Sequence, residues 1–261
     1  EDRKNTTDDS IRALLNCTNE ELNQENGNKN PHIISTMRDY MAGEVSKDLC
    51  QRYLIPQDIW QAHKDGIIHF HDMDYFAMPM YNCCVFNLED MLQNGTIISG
   101  VKIEKPHLFS TAATITSQIC AQISSSQYGG QSFTLSHLAP FVEETRKTLR
   151  KRYEMLKESL GDVKFNEFIE LATIKDVETG IQTIQYQLIT IAGSNGQSPF
   201  ASIFMYINEV DDDLKNDLAL VIQKVLEQRI LGVKNKNGAY VSTAFPKLLY
   251  VLQEDNIHEG D

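Results

Sequence analysis

The sequence predicts an α/β protein with parallel strands, in which long helices outweigh short strands. Two observations carry this. Three short apolar runs, "MYNCCVFNL", "FASIFMYI" and "PKLLYVL", are separated by long segments with helical spacing, the alternation expected of parallel strands joined by crossover helices. No fixed-period repeat and no linker of changed composition divides the 261 residues, enough for one large domain or two small ones.

Residues 1–30 are polar and asparagine-rich ("NCTNEELNQENGNKN") and are expected to form a weakly ordered lead-in. "TMRDYMAGEVSKDLCQRYL" then places Met37, Tyr40, Met41, Val45, Leu49 and Tyr53 at helical spacing. "PQDIWQAHKDG" reads as a short helix with Pro56 near its start and Gly66 past its end. "MYNCCVFNL" is long enough for a buried strand.

"KPHLFSTAATITSQICAQISSSQYGG" predicts a helix closed by Gly129 and Gly130. "HLAPFVEETRKTLRKRYEMLKESLG" predicts a second long helix with its basic residues in the middle. In a third, Ile174, Val177, Ile181, Ile184, Leu188 and Ile191 make one apolar stripe. "GSNGQSPF" breaks that helix ahead of the second strand. "DDDLKNDLALVIQKVLEQRILG" is a helix with acidic residues at its positive end, and "PKLLYVL" is the last strand.

The net charge of −12, with no long basic stripe against it, argues against general nucleic-acid binding. No apolar run reaches membrane-spanning length and no signal sequence opens the chain, so neither membrane insertion nor export is expected. Five cysteines, none in a CxxC pair, fit a reducing, cytoplasmic setting. The chain opens on Glu1 rather than Met and stops at "NIHEGD", so it is expected to be a piece of something longer.

The most chemically loaded stretch is "HFHDMDYFAMPMYNCCVF", His69 to Phe86. If it is extended, His69 and His71 share one face while Asp72 and Asp74 point the other way. That spoils a four-ligand site, and no downstream His or Cys cluster completes one, so no metal is expected. A Cys83–Cys84 disulfide is disfavoured, because neighbouring Cα atoms lie about 3.8 Å apart, below the usual disulfide range. On a strand the two thiols face opposite ways, one to a pocket and the other to the surrounding helices. Spacing alone leaves open whether either is reactive, since a buried cysteine is often only a small hydrophobe.

"GIIHFHDMDY" followed by "MYNCCVFNLEDML" closely resembles the start of the catalytic barrel in anaerobic (class III) ribonucleoside-triphosphate reductases. "STAATITSQICAQISSSQYGGQS", "SNGQSPF" and "TAFPKLLYVL" resemble further blocks of that family in the same order. Four ordered blocks are far more specific than one motif. The resemblance implies the first half of a ten-stranded α/β barrel of the ribonucleotide reductase and glycyl radical enzyme type. Residues 1–30 would precede it, and residues 31–261 would carry it, with dimer and effector helices at about 106–192.

The resemblance further implies that Cys83, after Asn82, is the thiol that reduces the ribose 2′ carbon. Cys84 departs from the family pattern, which is apolar there, and is assigned to the core. Asn82, His69, His71, Asn195 and Gln197 are the implied substrate-pocket residues. The cysteine that starts the reaction and the glycyl radical segment are expected outside these residues, so the fragment alone is expected to be inactive. Implied partners are a ribonucleoside triphosphate, a second copy of the chain and a radical-SAM activating enzyme. The reductant, formate or a thiol protein, stays open.

Ala113, Ser117, Ala121 and Ser125 recur every four residues and allow close helix approach, either inside the subunit or at a dimer interface. The family's dNTP or ATP effector would meet residues that resemble Glu104, Gln118 and one of Lys147, Arg150 or Lys151. Without the resemblance, "RKTLRKR" reads as a solvated helix face paired with Glu143, Glu144 or Glu154. The competing reading of the whole chain is a nucleotide-binding dimerisation or regulatory module without catalysis of its own.

Overall fold

The polar lead-in folds further than its composition predicts. Thr7–Leu15 forms helix α1, with Leu14 fully buried. Its anchor is Asp48, whose carboxylate accepts the Thr6 N–H at 2.6 Å and the Thr7 hydroxyl at 2.8 Å. The computed structural model describes residues 3–25 and 29–258; the rest of the asparagine-rich stretch, 26–28, and the terminal 259–261 lie outside them. The chain divides into two units.

The first unit comprises residues 1–83, 124–129 and 192–198. After α1 come α2, Ile34–Leu49, and a π-helical turn, Cys50–Leu54. Helix α3, Gln57–Lys64, has Pro56 at its cap, and Gly66 follows with φ 73°, as the sequence predicts. A 3-10 turn, Met73–Tyr75, packs on α2 through the Ser46 hydroxyl, which donates to the Met73 carbonyl at 2.6 Å and accepts from the Ala77 N–H at 3.0 Å.

The second unit comprises residues 84–123, 130–191 and 199–261. Strand β1, Cys84–Val85, leads to helix α4, Leu88–Gln93, and the hairpin β2 (Thr96–Ile98) and β3 (Val101–Ile103). Helix α5, Phe109–Ser124, precedes strand β4, Gln131–Thr134. Helices α6 (Pro140–Arg152), α7 (Lys157–Leu160) and α8 (Asp162–Thr190) follow. Then come β5 (Ala201–Met205), α9 (Lys215–Leu231), the hairpin β6 (Val233–Lys234) and β7 (Tyr240–Val241), and β8 (Lys247–Tyr250). The main sheet has the order β1-β4-β5-β8 and every pairing is parallel. The α/β class read from the sequence is the class observed.

Three elements depart from the sequence reading. "MYNCCVFNL" supplies only a two-residue strand, because β1 lies at the sheet edge, where Val85 is 84% exposed. Helix α5 stops at Ser124 rather than at the glycine pair; serine is a weak helix former that competes with the backbone for hydrogen bonds. The segment after α6 does not continue as one helix, since Tyr153 leaves helical geometry at φ −107°, ψ 14°.

The core of this unit joins sheet and helices through Phe109, Phe133, Phe141, Val177, Ile181 and Ile203. The small-residue ridge of α5 is spent partly here. Ala113 and Ser117 are buried, and a Cβ at Gly180 of α8 would sit 3.1 Å from the Ala113 Cβ. The outward residues of α5 are instead Thr111, Gln118 and Gln122.

Candidate active site

The first unit brings three separate sequence blocks together around Cys83: "HFHDMDY", "QYG" and "GSNGQ". Pairing starts on the backbone. The N–H of Tyr128 donates to the Tyr81 carbonyl at 3.1 Å, and that of Gly129 to the Asn82 carbonyl at 2.7 Å. Gly129 is required for this approach, because a Cβ there would lie 2.8 Å from the Cys83 sulfur and collide with Asn82. Cys83 itself is exposed, and its thiol donates to Asn82 Oδ1 at 3.1 Å. In the second unit Cys84 is half-buried and packs against the core.

Alternation does not hold in the histidine segment. Asp72 adopts a left-handed conformation, φ 56°, which aspartate tolerates better than most residues. That turn brings its carboxylate back to 3.2 Å from His71 Nε2, where an extended chain would put the two on opposite faces. His69 Nε2 lies 3.0 Å from His71 Nδ1. Among the described residues, no three His, Cys, Asp or Glu side chains are grouped to hold a metal ion.

The other Asp72 oxygen accepts the Tyr128 hydroxyl at 2.9 Å. The Tyr128 ring stacks on Tyr75, with centroids 4.0 Å apart and planes 5° from parallel. Tyr75 donates in turn to Asp39 at 3.2 Å, and Lys29 reaches both the Tyr75 oxygen, at 2.6 Å, and Asp39, at 2.7 Å. Burial, reinforced by Asp72, pushes the Tyr128 phenol up to about 12. Burial with Asp39 and Asp74 raises the Tyr75 phenol as well. Both therefore stay protonated donors at neutral pH.

The "GSNGQ" loop is tied to the same point. Gln197 Nε2 donates to the Tyr128 carbonyl at 2.7 Å, and the Gln197 carbonyl accepts from the Gly193 N–H at 2.7 Å. Gly196, at φ 75°, passes so close to Thr36 that a Cβ would lie 2.6 Å from its backbone nitrogen. Gln197 is 1% exposed, yet its Oε1 and the Nδ2 of Asn195 find no hydrogen-bond partner among the described residues. Buried polar atoms are rarely left so.

Of the residues singled out by sequence, Asn82, Cys83, His69, His71, Asn195 and Gln197 fall in this one unit. Sequence reasoning missed Tyr128, Tyr75 and the lysine–aspartate pair behind them. Tyr128 stood in the quoted "QYGG" block, but only its glycines drew attention.

The effector candidates lie in the second unit. Glu104 and Gln118 are exposed. Lys147 is 3.5 Å from Glu144, and Arg150 donates to Asn166 at 2.6 Å. Lys151 is exposed. Arg146 is spent structurally, in ion pairs with Glu143, Glu170 and Asp217.

A family model described as anaerobic ribonucleoside-triphosphate reductase matches residues 25–261. The enzyme of that name from Escherichia coli is 34% identical over all of this chain, which covers 35% of its length. The one from Enterobacteria phage T4 is 35% identical over 98% of the chain, covering 41% of the relative. The chain thus spans well under half the length of these curated relatives. Among solved structures, the anaerobic ribonucleotide reductase of Thermotoga maritima in complex with dATP and CTP aligns with TM-score 0.55 at 16% identity, over 88% of this chain and 43% of that one. A second structure of the Thermotoga enzyme, with dATP bound in the specificity site, aligns with TM-score 0.51 at 17% identity, over 85% and 37%. The fold is therefore a partial piece of that barrel. With the family model matching nearly the whole length, the chain belongs to the anaerobic ribonucleoside-triphosphate reductase family.

Proposed function

We propose that this chain is part of an enzyme that converts ribonucleoside triphosphates to deoxyribonucleoside triphosphates for DNA synthesis, with Cys83 as the thiol facing the ribose. The observation that carries this is the exposed Cys83 thiol, held 3.1 Å from Asn82 Oδ1 beside a glycine backbone that leaves room at the sulfur. The reaction removes the 2′-hydroxyl as water and replaces it by hydrogen. A thiol suits it because an S–H bond is weak and releases either a hydrogen atom or a proton. Asn82 and Asn195 would line the substrate pocket, and the buried Gln197 would hold its loop in place through the bond to the Tyr128 carbonyl. The glycyl radical that the family's chemistry requires would be supplied by a segment outside these residues, after activation by a radical-SAM enzyme. The fragment alone should not turn over.

The second unit supports an allosteric role in the same enzyme. The Thermotoga relative binds dATP in a specificity site. Here Glu104 and Gln118 would bond the base or ribose, while Lys147, Arg150 or Lys151 would meet the phosphates of a dNTP or ATP effector. Since the small ridge of α5 is partly buried within the chain, a homodimer would use the face bearing Thr111, Gln118 and Gln122. A nucleotide-binding module without catalysis is the second reading that these exposed groups favour. No helix among the described residues is long and apolar enough to cross a membrane, and the proposed setting is the cytoplasm, without nucleic-acid partners.

The deciding experiment is Cys83→Ser in the full-length enzyme. Deoxyribonucleotide formation should be lost while the protein folds, and Cys84→Val should retain it. Near-normal reduction by Cys83→Ser would overturn the assignment. Titration with each dNTP, following mass by ultracentrifugation, tests the second unit. A variant that replaces Glu104, Gln118 and the basic residues Lys147, Arg150 and Lys151 together and still binds as wild type would remove the effector from α5 and α6.

A further inference from the structure

We infer that Lys247, Ser132 and Ser202 hold the phosphate chain of a nucleoside triphosphate on the open face of the main sheet. The inference goes beyond the reading of Cys83 and uses residues of the second unit alone. Register sets these residues side by side: Val85 pairs with Ser132, Ser132 with Ser202, and Ser202 with Lys247. Ladder partners point to the same face, so the four form one row across the strands. That row is turned away from the helices. The alternate residues Gln131, Phe133, Ala201, Ile203 and Met205 are buried, whereas Val85, Phe204, Lys247 and Leu249 are exposed.

A parallel sheet ordinarily has both faces covered. Where helices ring a barrel of parallel strands, the strand face away from them lines the interior. This chain is a partial piece of such a barrel, so the row belongs to an inner surface of the whole enzyme. A charge enclosed there is costly unless it is paired.

Lys247 has no carboxylate partner among the described residues. Its Nζ lies 4.9 Å from the centre of the Phe200 ring and 6.0 Å from that of Phe245, and the two rings pack with centroids 4.3 Å apart. Phe200 precedes Ser202 by two residues and shares its face, so the ammonium leans across β5 toward the serines. Gly130 makes room for that ring, since a Cβ there would lie 3.3 Å from Phe200 Cδ1. Neither serine hydroxyl is hydrogen-bonded to another described residue. One cation and two hydroxyls on adjacent strands, about 4.8 Å apart, therefore face the same space. Successive phosphates spread their oxygens over such a span, and a single carboxylate does not.

The turn before Lys247 is held by a second cation. Arg229 of α9 is half-buried and donates to the Thr243 carbonyl at 3.3 Å and to the Pro246 carbonyl. No carboxylate pairs with it among the described residues. Desolvating a guanidinium to grip two carbonyls is a poor route to stability, because apolar side chains would pack as well. It does fix where Phe245 and Lys247 leave the turn.

The test is calorimetric titration of the full-length enzyme with CTP, inorganic tripolyphosphate and cytidine. Lys247→Met should weaken CTP and tripolyphosphate at least about tenfold, the worth of a hydrogen bond to a charged group, and leave cytidine unchanged. Lys247→Arg should recover most of that loss. Ser132→Ala and Ser202→Ala should each weaken both phosphate ligands about threefold, and they keep the test open if Lys247→Met does not fold. Titration with dATP identifies the nucleotide: a loss confined to CTP assigns the row to a ribonucleotide, and a loss confined to dATP assigns it to a deoxyribonucleotide. Wild-type affinity for CTP, dATP and tripolyphosphate in Lys247→Met would overturn the site. If that variant also unfolds at lower urea, the ammonium serves a carboxylate of the remaining chain instead. Cys83→Ser should bind CTP as wild type does. If it also reduces substrate normally while Lys247→Met loses CTP, the Cys83 reading fails and the phosphate site stands.

Discussion

Gly180 of α8 lies against the ring of Phe109 so closely that a Cβ on it would sit 2.6 Å from Cδ1 and 2.9 Å from Cε1. Phe109 is fully buried, and its N–H donates to the Thr145 hydroxyl at 2.7 Å, so the ring cannot step aside cheaply. Gly180→Ala should therefore destabilise the fold by about 1–3 kcal/mol through overpacking, despite the gain of about 1 kcal/mol that alanine gives a helix interior. Urea unfolding of the variant measures the balance. A variant as stable as wild type would mean that α5 and α8 can separate.

Asp48 makes the docking of α1 dependent on pH. Its side chain is fully buried beside Arg52. Burial alone would raise its carboxyl pKa, but hydrogen bonds from Arg52, Thr6, Thr7 and Gln51 outweigh this and hold it below the usual carboxylate range. A depressed pKa contributes stability above the unfolded value, about pH 4, and loses it as pH falls through the folded value. Protection of α1 amides from hydrogen exchange should thus hold from neutral pH to about 4 and decline below. Asp48→Asn should lose it at neutral pH, at a cost of about 3 kcal/mol or more for a broken buried pair.

The parts legible in the sequence were those with periodicity. The stripe of Val177, Ile181, Ile184 and Leu188 is the buried face of α8, and the apolar runs of β5 and β8 are strands. Strand β4 was not legible. Three of the four residues of "QSFT" are polar, and in mid-sheet Gln131 is accommodated by donating from Nε2 to the Cys120 carbonyl at 2.9 Å. The candidate site was legible as blocks but not as contacts. Nothing local indicates that Tyr128 will meet Asp72, 56 positions away, or that a left-handed Asp72 brings its carboxylate back to His71.

Arg146 joins three helices. From α6 it reaches Glu170 on α8 at 2.9 Å and grips Asp217 on α9 with two nitrogens, one of them at 2.8 Å. A planar fork does this and a lysine ammonium does not. Arg146→Lys should cost about 1–2 kcal/mol as one charge-assisted bond is lost. Arg146→Met should cost about 3–5 kcal/mol, because Asp217, 10% exposed at its side chain, is left without its cation. Raising the salt concentration should change the wild type little, since buried pairs are poorly screened. Similar losses for the two variants would show that charge alone, not the fork, holds these helices.

The five thiols should separate by burial. Cys17 and Cys83 are exposed, Cys84 is intermediate, and Cys50 and Cys120 are buried. Burial also pushes the Cys50 and Cys120 thiols up, and the thiolate is the form that reacts. Iodoacetamide at neutral pH should therefore modify Cys17 and Cys83 in the native chain, Cys84 more slowly, and the two buried thiols only after unfolding. Peptide mass spectrometry over time distinguishes them. The comparison inside the adjacent pair decides most, because Cys83 and Cys84 are neighbours in sequence and differ in which of them meets the core. Equal rates at the two would mean that β1 does not hold Cys84 against the sheet. A faster Cys84 would reverse the assignment of the two thiols, and with it the choice of Cys83 as the group that meets the ribose.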